Sequence, residues 1–172
     1  NIELSTILIT HHHADHTAGI KKLVEKYPNV AVYAASLDNI PFTTNGIFFD
    51  EDTTLNIKLL NDKLSLQVIH IPGHTKNHIA YYNEEILFCG DTLFSAGCGR
   101  LFEGTAAQMF NSLCKLKALN PKTLVYCAHE YTLKNLQFAK TIEPSNRDIA
   151  DIIPKIEALT IKGIPSLPST IE

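Results

Sequence analysis

The stretch Thr10-His11-His12-His13-Ala14-Asp15-His16 puts four imidazoles and a carboxylate into six consecutive positions. Neutral imidazole nitrogen and carboxylate oxygen are the ligands that borderline divalent metals prefer. Side chains of these types are costly to bury unpaired, so a dense cluster of them needs a shared partner. An exposed polar loop or the remnant of a tag is the plainer alternative. A tag would not contain Ala14-Asp15, nor would it follow the apolar run Leu4-Ser5-Thr6-Ile7-Leu8-Ile9. The spacing HxHxDH after such a run predicts a metal-binding loop.

Three more ligand candidates sit far along the chain, each where an apolar run stops. Val68-Ile69-His70-Ile71-Pro72-Gly73-His74-Thr75 presents His74 on a Pro-Gly turn. Ile86-Leu87-Phe88-Cys89-Gly90-Asp91 presents Asp91, and Leu124-Val125-Tyr126-Cys127-Ala128-His129 presents His129. Singly, each reads as a hydrogen-bonded structural residue. Together they read as a site, because strand ends converge at one edge of a sheet in α/β folds.

The elements that must position these residues are legible as alternating strands and helices. Residues 4–9, 30–34, 53–60, 64–69, 79–82, 86–89 and 123–127 are β-rich runs separated by turn signals such as Asn61-Asp62 and Asn83. Residues 17–27 predict a helix with Ile20, Leu23, Val24 and Tyr27 on one face, stopped by Pro28-Asn29. Thr105 to Gln108 predicts a capping box opening a helix whose stripe is Met109, Phe110, Leu113, Leu116 and Leu119. Residues 133–142 and 149–159 predict amphipathic helices. Residues 38–51 read as loop, and residues 163–172 show no periodic pattern.

Composition bounds the rest. With 172 residues and 45% apolar content the chain suits one globular domain or slightly more, and excludes intrinsic disorder. No apolar run approaches a membrane span. Fifteen basic against eighteen acidic residues give a net charge of -3, which is no footprint for nucleic acid. Cys89, Cys98, Cys114 and Cys127 are scattered, with no CxxC pair, and read as reduced thiols in a cytoplasmic protein, each a small buried hydrophobe. The chain starts at Asn1 rather than Met, so it reads as a piece of a longer protein.

The motifs THHHADH, PGHT, GDTLFSAGCGR with EGT, and AHEYT, in that order, resemble the metallo-β-lactamase superfamily and, within it, the glyoxalase II (hydroxyacylglutathione hydrolase) family. The resemblance covers nearly the whole chain. It implies an α/β fold, a four-layer αββα sandwich lacking its N-terminal strands, over residues 1–131. Residues 132–172 would begin a C-terminal helical substrate-binding domain. It implies two divalent metal ions, zinc in the first instance, with iron or manganese as alternatives. His11, His13 and His74 would hold one ion, Asp15, His16 and His129 the other, and Asp91 would bridge them. Asp15 and Asp91 would be the catalytic carboxylates, and a metal-bridging hydroxide the nucleophile. The implied reaction is hydrolysis of S-(2-hydroxyacyl)glutathione, in particular S-D-lactoylglutathione, to glutathione and D-lactate in methylglyoxal detoxification. A thiolate leaves readily, so the absence of an obvious general acid fits.

By the same resemblance Arg100, Phe102 and Tyr131 contact the substrate; family members often carry an aromatic hydroxyl where Phe102 stands. His12, His70 and His78 are read as lying outside the metal-bonded set. Ile71 stands where many superfamily members have Thr. The family also has a β-rich segment before the first motif and a basic segment after residues like 168–170. The expectation is therefore a fragment or shortened relative, poorly stable alone, whose full-length form is a monomer, with an organelle as its place if a leader was removed. Competing readings are a persulfide dioxygenase, a β-lactamase, a phosphodiesterase or an inactive metal-binding fragment. Asp91 disfavours the β-lactamase, and the acidic balance disfavours an RNA-processing nuclease.

Overall fold

Strand β1 (Thr6–Leu8) leads into the histidine loop, a single helical turn α1 (Ala14–Thr17) and helix α2 (Ile20–Lys26), and the chain returns as β2 (Ala31–Ala35) parallel to β1. A 3-10 turn, Ser36–Asp38, follows, and β3 (Asn45–Ile47) adds to the other side of β2, also parallel. The computed structural model describes residues 3–48, 55–59 and 64–172.

A second sheet is built from β4 (Leu55–Leu59), β5 (Leu64–His70), β6 (Ile79–Tyr82) and β7 (Ile86–Gly90), which pair antiparallel in sequence order. The short hairpin β8 (Leu93–Phe94) and β9 (Gly97–Cys98) then precedes helix α3 (Ala106–Lys117). That crossover brings β10 (Leu124–Cys127) back parallel to β7. Helices α4 (Thr132–Ile142) and α5 (Arg147–Ile161) follow, and β11 (Ser169–Thr170) closes the far edge against β10. The order across the large sheet is β11-β10-β7-β6-β5-β4.

Three apolar clusters stack these elements. Val32 and Ala34 point from β2 toward Ile20 and Val24 of α2, while Ala35 points the other way. Ala35 and Ile47 of the small sheet meet Ile57, Leu66, Val68, Ile79 and Tyr81 of the large one. On the large sheet's outer face, Ala80, Leu87, Cys89 and Val125 pack with Leu116 of α3. The layers are therefore helix, sheet, sheet, helix, the αββα sandwich. Each fully buried Leu, Ile or Val here contributes about 1.5–3 kcal/mol relative to exposure. The two-residue alternation along β2 and β6 puts one face of each strand into each cluster. Tyr81 crosses between the sheets, and its hydroxyl donates to the Ile9 carbonyl at 2.9 Å, which satisfies a group too costly to bury unpaired.

Several local expectations change. The helix expected over 17–27 is split at Gly19, the N-cap of α2, and Leu23 is exposed. Asn45 and Gly46 read as turn residues but pair with Tyr33 and Ala34 as β3. Thr105 does form the capping box, yet α3 buries Met109, Ser112 and Leu116, at i, i+3 and i+7, and leaves Phe110 exposed. Phe110 sits one residue, about 100° of helical turn, off the buried stripe. Cys89 is a buried hydrophobe, but Cys98 and Cys114 are exposed; all four thiols are free. The tail holds the two-residue strand β11, too short to show periodicity. Of the strand read over 53–60, the described part is β4; Glu51, Thr53, Leu60 and the Asn61-Asp62 turn lie outside the described residues. Among the described residues no helix is long and apolar enough to cross a membrane.

Candidate metal centre

Strands β5, β7 and β10 run in one direction, because β6 is antiparallel to both its neighbours and β10 is parallel to β7. Their C-terminal ends therefore share one edge, where they deliver His74, Asp91 and His129. The loop after β1, in the facing sheet, delivers His11, His13, Asp15 and His16 to the same place. Three sets of ligand atoms lie within 4.8 Å of one another: His11, His13 and His74; His11, His16 and Asp91; Asp15, His16 and His129. His11 thus stands close to both ends of the cluster.

Individual distances define the arrangement. His13 Nδ1 and His74 Nε2 are 3.0 Å apart. Asp91 Oδ2 lies 3.5 Å from His74 Nε2 and 3.4 Å from His129 Nε2, while its Oδ1 lies 3.4 Å from His16 Nε2. Asp15 Oδ2 lies 3.4 Å from His16 Nε2 and 3.3 Å from His129 Nε2. Asp91, nearly buried, therefore sits between the two ends, and Asp15, largely exposed, closes the outer one.

Backbone features hold these side chains. Gly90, at φ +49, lets β7 turn sharply into Asp91; a Cβ there would stand 2.5 Å from Thr10 Oγ1 and 2.9 Å from the His78 ring. The Asp91 N–H donates to His78 Nε2 at 3.2 Å. His78 is fully buried and stacks on His11, with centroids 4.6 Å apart. His74 Nδ1 lies 2.8 Å from the Arg100 carbonyl, which can only accept, so Nδ1 carries the proton and Nε2 offers its lone pair to the cluster. Gly99 permits this approach, because any Cβ there would run into the Asp91 carbonyl.

Electrostatics prepare the groups for a cation. Burial, then the neighbouring His78, His16, His74 and His13, hold His11 far below the usual imidazole range. Burial and His74 lower His13. Both are thus neutral, the form that ligates metal. Burial alone would raise the Asp91 carboxyl, but His16, His129 and His74 outweigh it and hold the group low. Asp91 beside it raises His16 in turn. His11 Nε2 is buried without a hydrogen-bond partner, and the buried His16 Nε2 and Asp91 Oδ1 make only ion-pair contacts of 3.4 Å. Each such atom costs about 1–3 kcal/mol if left unsatisfied. Divalent cations satisfy all three at once, so the residues present fit the metals that the spacing suggests.

The rim carries the three residues expected at the substrate. Phe102 sets its ring edge-on to His13 and His74, at centroid distances of 5.4 and 5.2 Å, and the Arg100 guanidinium lies 5.7 Å over it. Tyr131 stacks on His129 at the opposite side. His12 sends its ring nitrogens toward Asp38 and Glu103 while its ring meets His13 edge-on at 5.1 Å, and His70 Nε2 reaches the Lys76 carbonyl. Asp38, Thr10 and the Arg100 carbonyl were not visible as site residues in the sequence. The partners of Asp38 and of the Arg100 carbonyl lie many positions away, a carbonyl carries no side-chain signature, and Thr10, whose Oγ1 lies 3.1 Å from Nδ1 of the adjacent His11, is a hydroxyl with no metal-ligand signature of its own.

A family model for the metallo-beta-lactamase superfamily matches residues 1–129, and one for the hydroxyacylglutathione hydrolase C-terminus matches residues 130–172. The chain is 52% identical over 171 residues to the hydroxyacylglutathione hydrolase of Aeromonas hydrophila, and 47% identical over 171 residues to that of Nitrosomonas eutropha. Each alignment covers 99% of this chain and 65% of the relative, so the chain spans under two thirds of the length of these curated relatives. Among solved structures it is similar to ETHE1 from Myxococcus xanthus (TM-score 0.65, 30% identity, 76% of this chain and 56% of that one). It is also similar to TTHA1623, described in a di-iron-bound form (TM-score 0.58, 31% identity, 74% of this chain and 70% of that one). With four ligand-bearing loops at one edge of an αββα sandwich, and the family model matched from its first residue to residue 129, the chain belongs to the metallo-beta-lactamase superfamily.

Proposed function

We propose that this chain carries the site of a hydroxyacylglutathione hydrolase. Its substrate is an S-(2-hydroxyacyl)glutathione, S-D-lactoylglutathione above all, and its products are glutathione and the 2-hydroxy acid. The observation that carries this reading is one of continuity. Directly after His129, the last of the seven clustered residues, the chain runs into a segment matched by the hydroxyacylglutathione hydrolase C-terminus. Residues 1–131 are taken as the catalytic domain and residues 132–172 as the start of a substrate-binding one.

In this reading His11, His13 and His74 would hold one divalent ion and Asp15, His16 and His129 the other, with Asp91 shared between the two sets. A pair of such cations supplies Lewis acidity and hydroxide at neutral pH. Asp91 stays anionic between them, as its neighbours favour. Asp15, exposed at the mouth, keeps a carboxylate oxygen free to orient the attacking water. Phe102 and Tyr131 wall the entrance on opposite sides, and the Arg100 fork binds a carbonyl or carboxylate of the glutathione peptide. The departing thiolate is a weak base, with a thiol pKa near 8.5, and needs no dedicated acid. Zinc suits this ligand set, with iron as the alternative that the di-iron relative favours. Four free thiols suit the reducing cytoplasm.

The test is cleavage of S-D-lactoylglutathione by the metal-loaded chain, run beside lactoyl esters of simpler thiols, a chromogenic β-lactam and glutathione persulfide. Metal-dependent cleavage with preference for the glutathione thioester is expected. Preferred turnover of the β-lactam or the persulfide would sink the assignment. Elemental analysis of the as-purified protein decides between zinc and iron.

A further inference from the structure

Outside the cluster, four side chains and one backbone amide close a ring. His12 Nε2 lies 3.1 Å from Glu103 Oε1. Glu103 Oε2 accepts from the Lys76 N–H at 2.8 Å. The next residue, Asn77, donates from Nδ2 to Asp38 Oδ1 at 2.8 Å. The other oxygen of Asp38, Oδ2, faces His12 Nδ1 at 3.6 Å, an ion-pair distance too long for a hydrogen bond, and neither of these buried atoms has a hydrogen-bond partner. The Asp38 side chain is only 3% exposed, so its place is fixed by packing and not by solvent.

We propose that His12, Asp38, Asn77 and Glu103 form a positioning ring that sets the loop of His11 and His13 against the turn of His74. The inference rests on the two-metal reading above. Two carboxylates grip the same pair of loops in parallel, one through Lys76 and one through Asn77. His12 lies between His11 and His13 in the chain, so any shift of its backbone moves both. On the other side, Lys76 and Asn77 follow His74 by two and three residues. The ring thus spans the gap across which His13 Nδ1 and His74 Nε2 face each other at 3.0 Å. Glu103 does a second job. It anchors a strap whose Phe102 N–H donates to the His74 carbonyl and whose Gly104 N–H donates to the Gly73 carbonyl. None of the four side chains is itself among the clustered ligands, but the His12 imidazole meets the His13 imidazole edge-on at 5.1 Å, so the ring acts on His13 by direct packing and by charge as well as through the backbone. It reaches one end of the site and not the other: neither Asp15, His16 nor His129 touches it. Outer partners of metal ligands commonly account for 10–100-fold in affinity.

The test is a stepwise zinc titration of the full chain against a chromophoric chelator. The unmodified chain is expected to bind two ions. Glu103→Gln and His12→Ala are each expected to weaken one ion about 10–100-fold and leave the other unmoved. The double variant should lose no more than the larger single loss, because both changes open the same ring. In a His129→Ala background, which retains the His11, His13 and His74 end, the Glu103→Gln loss should persist. In a His13→Ala background it should vanish. If His12→Ala does not fold, Glu103→Gln and Asn77→Ala, which keep the core intact, give the same reading. Two ions bound with unchanged affinity in every ring variant overturn the ring and leave the site reading standing, and so does equal weakening of both ions. An unmodified chain that binds no ion overturns both.

Discussion

The imidazole of His129 and the phenol of Tyr131 lie face to face, with centroids 5.3 Å apart and planes 17° from parallel. Phe94 meets the same Tyr131 edge-on at 5.2 Å, so the tyrosine is a wedge between β8 and the last ligand loop. Aromatic pairs of this kind contribute about 0.5–1.5 kcal/mol beyond their burial. Tyr131→Ala should therefore weaken the ion held by His129 about 2–10-fold, and Tyr131→Phe should leave it unchanged. Metal titration of both variants checks this; an equal loss in the two would assign the effect to the hydroxyl.

Asp91→Asn keeps the shape of the side chain that sits between the two ends of the cluster and removes its charge. An amide cannot balance two cations, so turnover should fall by more than the roughly 100-fold that an outer partner accounts for. His12→Ala should retain turnover at saturating metal. Rate measurements with excess zinc test the pair, and comparable collapse in both would mean that the ligands are misassigned.

Arg100 touches the site in two separable ways. Its carbonyl holds His74, and its guanidinium lies over Phe102 at the rim. Arg100→Ala retains the carbonyl, so metal affinity and kcat should hold while KM for glutathione thioesters rises. An interaction made equally in ground and transition states behaves in that way. Gly99→Ala should do the reverse and damage metal binding, since its new methyl would press on the Asp91 carbonyl. A kcat collapse in Arg100→Ala would place the guanidinium in the chemistry.

Metal should stabilise the fold, because it fills contacts that the buried His11 Nε2 otherwise lacks and that Asp91 Oδ1 makes only as an ion pair. Free ligand at 100 times its Kd adds about 2.7 kcal/mol per independent site. Melts with zinc and with a chelator should differ by several degrees, and coincident melts would count against a metal site.

Acid should destabilise the metal-free chain from the neutral side. Burial pushes His78 down to about 3, and His11 moves the same way. Unfolding lets both rings take up protons below their ordinary value near 6.5. The unfolded state then binds more protons, so stability is fully present above about pH 6.5 and is lost as pH falls toward 3. Chelator-treated protein followed by denaturant titration from pH 7.5 to 4 measures the slope. Replacing His78 with Gln should flatten it.

Much of the site was legible because its residues stand at the ends of apolar runs, where side-chain type and strand termination coincide. His11, His13, Asp15, His16, His74, Asp91 and His129 all carry that signal, and all reach one edge. The strands β5, β6, β7 and β10 were legible for the same reason. What stayed hidden depends on distant partners. β3 hides behind Asn45-Gly46, whose local preference for turning is overridden by pairing with β2. The exposure of Phe110 follows from which helix face meets the large sheet. Asp38 has no motif around it, and only the folded chain shows it beneath His12.

The shared direction of β5, β7 and β10 divides the molecule into a working end and an idle one. The turns between β6 and β7 and ahead of β10 lie at the idle end. There Asn83 Oδ1 accepts from the Glu85 and Ile86 N–H groups, and Thr123 Oγ1 donates to the Glu84 carbonyl. No ligand leaves from these turns, so they are the natural seats for an attached peptide, a fluorophore or a surface tether. A cargo of that kind, attached through the Glu84 side chain so that the turn's own hydrogen bonds are kept, would ride on the large sheet and leave the mouth of the site open to solvent.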